Sequence, residues 1–182
     1  IYSRSGCNNP LPVILIGTTA GTGSEVTGVS VLTNSETGCK KSISGSDCYA
    51  KVSFCDSKYT YSVPYSVTVS SALDAFAHCV ESYFAKNSNE LSVMYAKRGI
   101  EILWKHLVMF YNEKRLPGEK ERDELYTASL LGGLAINITG TCFPHTVGYV
   151  LTEDFGIPHG RACTAFMNEY VSLAVKYEKE KA

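Results

Sequence analysis

The sequence predicts an α+β chain that is mainly helical, with its strands confined to the first third. Short β-branched runs bounded by glycine and polar turns recur up to residue 63, whereas from residue 66 apolar side chains return every three or four positions. The β-rich part contains neither a strand-helix-strand repeat nor a glycine fingerprint for a dinucleotide pyrophosphate, so it reads as the last strands of an α/β domain whose beginning is absent. At 182 residues, 45% hydrophobic and 19% charged, the chain can bury a core as one domain, or as one domain and part of another.

Residues 12–16 are apolar, rich in β-branched side chains and closed by Gly17, which predicts a buried strand. Thr18, Thr19, Ala20, Gly21, Thr22, Gly23, Ser24 and Glu25 follow. Thr22 and Glu25 match a capping box, which predicts a helix or helical turn starting near Gly23. Free N–H groups at such a start, flanked by threonine hydroxyls, suit a phosphate, a ribose or a carboxamide; an ordinary capped turn is the competing reading. Further strands are predicted at 29–33, 41–44 and 51–55, the first two around a turn at 34–38, and 59–63 reads as a turn closed by Pro64.

Helical spacing of Val69, Leu73, Phe76, Ala77, Val80 and Phe84 predicts a helix over 66–83, ended by Asn87, Ser88 and Asn89. A second spans 90–111, and a third spans 119–139 with a later half so small and apolar that it should be buried on most sides. Pro144 and Pro158 each suit a first helical position, which places His145 and His159 at helix starts.

Asp74 and His78 stand one turn apart on the first helix, their Cβ atoms roughly 5–6 Å apart, a two-armed grip for one metal ion. A plain ion pair or hydrogen bond is the alternative. The chain has four histidines, and His145 and His159 lie next to glycine-containing turns able to bring them in; His106, beside Lys105, reads as a surface or packing residue. One carboxylate and three imidazoles would suit Fe(II), Zn, Co or Ni.

Composition excludes other classes. A net charge of -1 with scattered basic residues offers nothing to nucleic acid or an anionic membrane, and the alternating lysines and glutamates from Lys176 to Lys181 read as a solvated helix end. No apolar run approaches the roughly 20 residues of a membrane helix, and neither a signal peptide nor an initial Met is visible, so a soluble, cytoplasmic, processed or partial chain is expected. Seven cysteines (Cys7, Cys39, Cys48, Cys55, Cys79, Cys142, Cys163) without a Cys-x-x-Cys pair predict reduced thiols. Cys79, about 100° round the helix from His78, is expected in the core.

Thr-Thr-Ala-Gly-Thr-Gly-Ser-Glu-Val-Thr at 18–27, Leu-Asp-Ala-Phe-Ala-His at 73–78 and Gly-Ile-Pro-His-Gly at 156–160 together resemble the iron-containing (group III) alcohol dehydrogenase family, over essentially the whole chain. The resemblance implies a metal-dependent, NAD(P)-linked alcohol dehydrogenase. Its metal ligands would be Asp74, His78, His145 and His159, with Fe2+ favoured and Zn2+ the alternative. Thr18, Thr19 and Thr22 would lie against the nicotinamide half of the cofactor, with Thr27 and Lys40 as weaker carry-overs. The implied architecture is that of iron alcohol dehydrogenase and dehydroquinate synthase. Residues 1–63 would be the C-terminal strands of the α/β cofactor domain and 64–182 the helical metal-binding domain, truncated at its C-terminus.

A small alcohol or aldehyde would be the substrate and a homo-oligomer the assembly. The chain departs from the family pattern at Gly17, where proline is usual, at Asp56-Ser57, where Asp-Pro is usual, and at Tyr149, which replaces a further histidine and becomes the candidate catalytic proton donor. Two competing readings are a non-catalytic metal-binding or assembly fragment of such an enzyme, and a cofactor-free metallohydrolase.

Overall fold

A computed structural model describes residues 11–38 and 40–177; Cys7, Cys39 and the end of the charged tail lie outside them. Strand β1 (Ile14–Ile16) pairs in parallel with β4 (Val52–Phe54), Ile14 opposite Val52 and Ile16 opposite Phe54. Between them in sequence, β2 (Val29–Thr33) and β3 (Lys40–Ser44) form an antiparallel hairpin with Thr33 opposite Lys40. Two-stranded ladders cannot cover their own faces. Ile14, Ile16, Val52 and Phe54 accordingly stay about half exposed.

The helical part begins with α1 (Tyr65–Phe84), α2 (Glu90–Glu113) and α3 (Glu119–Thr139), which pack on one another. All three fall where the apolar period predicts, the second extending two residues further than expected. Asn89 and Ser92 close a reciprocal capping box at the start of α2, satisfying two amides that would otherwise lack partners. Small side chains let these helices approach closely. A Cβ on Gly99 of α2 would stand 2.5 Å from the Cys79 sulfur, and one on Gly132 of α3 would stand 3.2 Å from it, so Cys79 is a core residue as expected. His106 is also a packing residue: it is 1% exposed and its Nε2 meets Glu124 at 2.8 Å.

The glycine turn after β1 differs from expectation. Residues Ser24–Val26 make a single 3-10 turn with no side-chain cap, because Gly23 before it is left-handed (φ 59°). The Thr22 hydroxyl pairs with the Ser24 hydroxyl at 2.8 Å, and the Glu25 carboxylate accepts from the Tyr126 hydroxyl of α3 at 2.6 Å, so neither completes the capping box. Gly23 is also where the turn touches α3: its Cβ would lie 2.6 Å from the Gly133 Cα. Buried Arg122 anchors the next connection, donating to the Thr60 carbonyl at 2.5 Å and to the Val63 carbonyl at 3.1 Å.

Three shorter helices follow: α4 (Phe143–Phe155), α5 (His159–Thr164) and α6 (Met167–Tyr177). Pro144 sits in the first turn of α4 as predicted, whereas Pro158 caps α5 from one place outside it, leaving His159 to open the helix. Ala77 and Val80 of α1 pack with Cys163 and Met167 in a second buried cluster that holds α5 and α6 against α1. Among the described residues no helix is long and apolar enough to cross a membrane.

Candidate metal centre

Three helices converge on Asp74. Its own helix, α1, presents His78 one turn on, with Nε2 3.8 Å from the Asp74 Oδ1. The first turn of α4 brings His145, whose Nε2 lies 3.4 Å from the same oxygen, and the first residue of α5 brings the His159 Nε2 to 3.7 Å from it. Asp74, His78 and His145 are buried, and His159 is partly exposed. The rings stack as well as converge: His78 and His145 are nearly parallel, with centroids 4.6 Å apart.

Glycines make this convergence possible. A Cβ on Gly160 would fall 1.8 Å from the Ser70 carbonyl oxygen, so α5 lies directly on the α1 backbone beside Asp74. A Cβ on Gly148 would fall 2.7 Å from the Cys163 sulfur, so α4 closes on α5 in the same way.

Two further side chains belong to this cluster. Glu81, on the same face of α1 as Asp74 and two turns on, is fully buried; its Oε1 pairs with the His145 Nδ1 and its Oε2 accepts from the Cys142 amide at 2.5 Å. It fixes the imidazole so that Nε2 faces Asp74, the role a buried carboxylate plays behind a metal-ligating histidine. Cys163, one turn after His159 on α5, places its sulfur so that ligand atoms of Asp74, His145, His159 and Cys163 all lie within 4.8 Å of one another. Both residues were readable in the sequence by the helical spacing that singles out Asp74 and His78, with Glu81 seven residues after Asp74 and Cys163 four after His159.

The electrostatics suit a cation. Burial pushes the Asp74 carboxyl up, but the surrounding histidines outweigh it and hold the group at about 2, ionised at any ordinary pH. Burial lowers the His78 and His159 imidazoles below their ordinary value against the pull of Asp74, which favours the neutral form that donates a lone pair. His145 is the exception: burial opposes its charge, yet Asp74, Cys163 and Glu81 push it up to about 12. Asp74 Oδ1, His78 Nδ1 and His145 Nε2 are all buried without a hydrogen-bond partner. Leaving such an atom unpaired costs about 1–3 kcal/mol, so donors converging in this state fit a dication of the Fe(II) or Zn(II) kind.

Of the other predicted site residues, Tyr149 touches this cluster and Lys40 reaches it through Tyr149. Tyr149 lies one turn beyond His145 and stacks on His159, its ring 5.5 Å away at 9°, and burial pushes its phenol up. The Lys40 ammonium is 5.7 Å over the Tyr149 ring, while its amide donates to Glu153 at 2.9 Å. Thr18 and Thr22 are exposed, Thr19 half-buried and Thr27 buried.

Two family models match the chain, "Iron-containing alcohol dehydrogenase" over residues 2–57 and "Fe-containing alcohol dehydrogenase family, C-terminal" over residues 68–182. Alcohol dehydrogenase 4 of Saccharomyces cerevisiae is 30% identical over 164 residues, covering 90% of this chain and 42% of the relative. The crystal structure of sulfoacetaldehyde reductase from Bifidobacterium kashiwanohense in complex with NAD+ superposes with a TM-score of 0.85 at 32% identity, covering 94% of this chain and 45% of that one. An iron-containing alcohol dehydrogenase from Thermotoga maritima gives 0.79 at 37% identity, with 89% and 43% covered. The chain thus spans less than half the length of each, and its mainly helical fold is part of theirs. With the C-terminal model matching more than half of its residues, the chain belongs to the iron-containing alcohol dehydrogenase family.

Proposed function

We propose that this chain carries the metal-binding part of an NAD(P)-linked alcohol dehydrogenase acting on a small alcohol or aldehyde, with Asp74, His78, His145 and His159 as the metal ligands. The observation that carries the reading is the approach of three imidazoles, from three helices, to the Asp74 Oδ1, where that oxygen and the facing His145 Nε2 are buried without a hydrogen-bond partner. The same reading divides the chain into the strands of a cofactor domain (1–63) and a helical metal-binding domain (64–182). The separate matches at 2–57 and 68–182 support that division. The free thiols of the five cysteines among the described residues support a cytoplasmic setting, and exposed apolar side chains such as Trp104 (59%) support a homo-oligomer.

Bound here, a divalent ion would supply Lewis-acid polarisation of the substrate oxygen, and NAD(P) would supply the hydride acceptor or donor. The chain's own residues do the rest. Asp74 supplies the anionic ligand on which the imidazoles converge, and Glu81 acts as a positioning residue that keeps the His145 Nε2 pointed at it. Tyr149, with its phenol kept protonated by burial and its ring held against His159, carries a proton on Oη at the edge of the site. Thr18, Thr19 and Thr22 offer hydroxyls at the glycine turn for the nicotinamide half of the cofactor, with Thr27 and Lys40 in lesser roles.

The test pairs metal analysis with cofactor titration. Metal content after anaerobic loading with Fe(II) or Zn(II) should approach one ion per chain and fall away in His159→Ala. NADH or NADPH fluorescence should saturate. Metal without saturable cofactor binding would reduce the reading to a metal-binding fragment, and no metal at all would remove it.

A further inference from the structure

We propose that Cys163 is itself a ligand of this metal centre, so that a thiolate joins Asp74 and the imidazoles around the ion; the inference rests on the metal reading above. The Cys163 sulfur belongs to the group whose ligand atoms, with Asp74, His145 and His159, lie within 4.8 Å of one another. Independently of the cysteine, the Asp74 Oδ1 and the His145 Nε2 are buried atoms without hydrogen bonds, 3.4 Å apart, on two residues of that same group. The sulfur is 3.6 Å from each nitrogen of the His159 ring, so neither nitrogen alone claims it.

Its position is also fixed. His159 and Cys163 sit one turn apart on α5, as Asp74 and His78 do on α1, and both pairs offer two donors from one helix face. Gly148 leaves room for the sulfur and nothing more, and Ala77, Val80 and Met167 close the other side. The contrast with Cys79 is instructive. That thiol is equally buried but faces Gly99 and Gly132, and among the described residues it belongs to no group of converging metal donors.

On coordination the S–H bond breaks, the sulfur keeps the electron pair and forms the metal–sulfur bond, and the proton leaves to solvent. No electron transfer is involved. A set of sulfur, nitrogen and oxygen donors is softer than the imidazole and carboxylate set alone, and so shifts preference from Fe(II) toward Zn(II).

X-ray absorption at the zinc edge, on the zinc-loaded chain and on Cys163→Ser, tests this. The expected wild-type spectrum contains one sulfur scatterer at about 2.3 Å beside nitrogen and oxygen at about 2.0–2.2 Å, and the sulfur shell is lost in the variant. With Co(II) in place of zinc, a near-ultraviolet thiolate-to-cobalt band should appear in the wild type and be absent in Cys163→Ser. Zinc bound by nitrogen and oxygen alone in the wild type overturns the proposal while leaving the metal centre standing. A wild-type chain that takes up no zinc overturns both. The wild-type spectrum decides even if the variant does not fold.

Discussion

Gly160→Ala tests whether the centre is built by direct contact of α5 with α1. The added methyl would lie 1.8 Å from the Ser70 carbonyl oxygen and 2.8 Å from the Asp74 amide nitrogen. Real Cβ atoms keep at least 3.0 Å, so the local backbone must retreat by 3.0 − 1.8 = 1.2 Å or more. The obstacle is helix backbone and cannot rotate aside as a side chain would. Since α5 carries both His159 and Cys163, the retreat takes both away from Asp74. Metal–donor distances tolerate only about ±0.2 Å, so a displacement several times larger should cost about 100-fold or more in metal affinity. Overpacking should lower stability by about 1–3 kcal/mol. Chelator competition reads the first and urea unfolding of the metal-free chain reads the second. Gly118→Ala is the control, since its nearest neighbour would be 3.8 Å away; at the N-cap of α3 it should cost about 1 kcal/mol at most and leave metal affinity unchanged. A Gly160→Ala chain that binds zinc within tenfold of wild type and unfolds at the same urea concentration would refute the close seating of α5.

Glu81→Gln weakens the acceptor that orients His145 and should reduce metal affinity by about 10–100-fold without loss of helix content, measured by competition and circular dichroism. Gly99→Ala drives a methyl to 2.5 Å from the Cys79 sulfur and should cost about 1–3 kcal/mol; the double variant with Cys79→Ala should recover most of the loss, and additive losses would contradict the packing. Burial pushes the Cys79 thiol from its ordinary 9.0 to about 12, so above pH 9 the unfolded chain loses a proton that the folded chain keeps. Its contribution is therefore complete below pH 9 and is lost as pH rises toward 12; Cys79→Ala should lose less stability than wild type between neutral pH and about pH 10.5. Chelation should lower the melting temperature by the equivalent of about 2.7 kcal/mol when free metal had stood at about 100 times its Kd, and Asp74→Ala should show no such drop.

The helical part was legible because its signal is periodic and long. The third helix falls at 119–139 as expected, and the first and second differ from expectation by one or two residues at an end. The glycine turn was less so: Thr22 and Glu25 have the right spacing for a capping box, but tertiary contact with Tyr126 and the left-handed Gly23 decide what they bond to. At the site, residue type and helical spacing picked out Asp74 and His78. Glu81 and Cys163 share that logic but not its prominence. A glutamate near a helix end reads as solvated until His145 and the Cys142 amide are known to meet it. A cysteine among seven without pattern reads as filler until Gly148 and His159 enclose it.

Charge balance links these residues to the metal. Asp74 and Glu81 put two carboxylates on one face of α1, both almost fully buried, with His145 reaching toward one through Nε2 and bonded to the other through Nδ1. Unpaired burial of a carboxylate costs several kcal/mol, so the arrangement requires positive charge between them. An imidazolium at His145 supplies one unit and satisfies Glu81, but it leaves the Asp74 Oδ1 and the His145 Nε2 close to each other without a hydrogen bond. Asp74 and His145, with their neighbours, would hold a dication that would supply two units, and the His145 Nδ1 proton would remain for Glu81. Of the two, only the second satisfies both the Asp74 Oδ1 and the His145 Nε2, which is why these unpaired atoms, rather than the ion pairs, carry the metal reading.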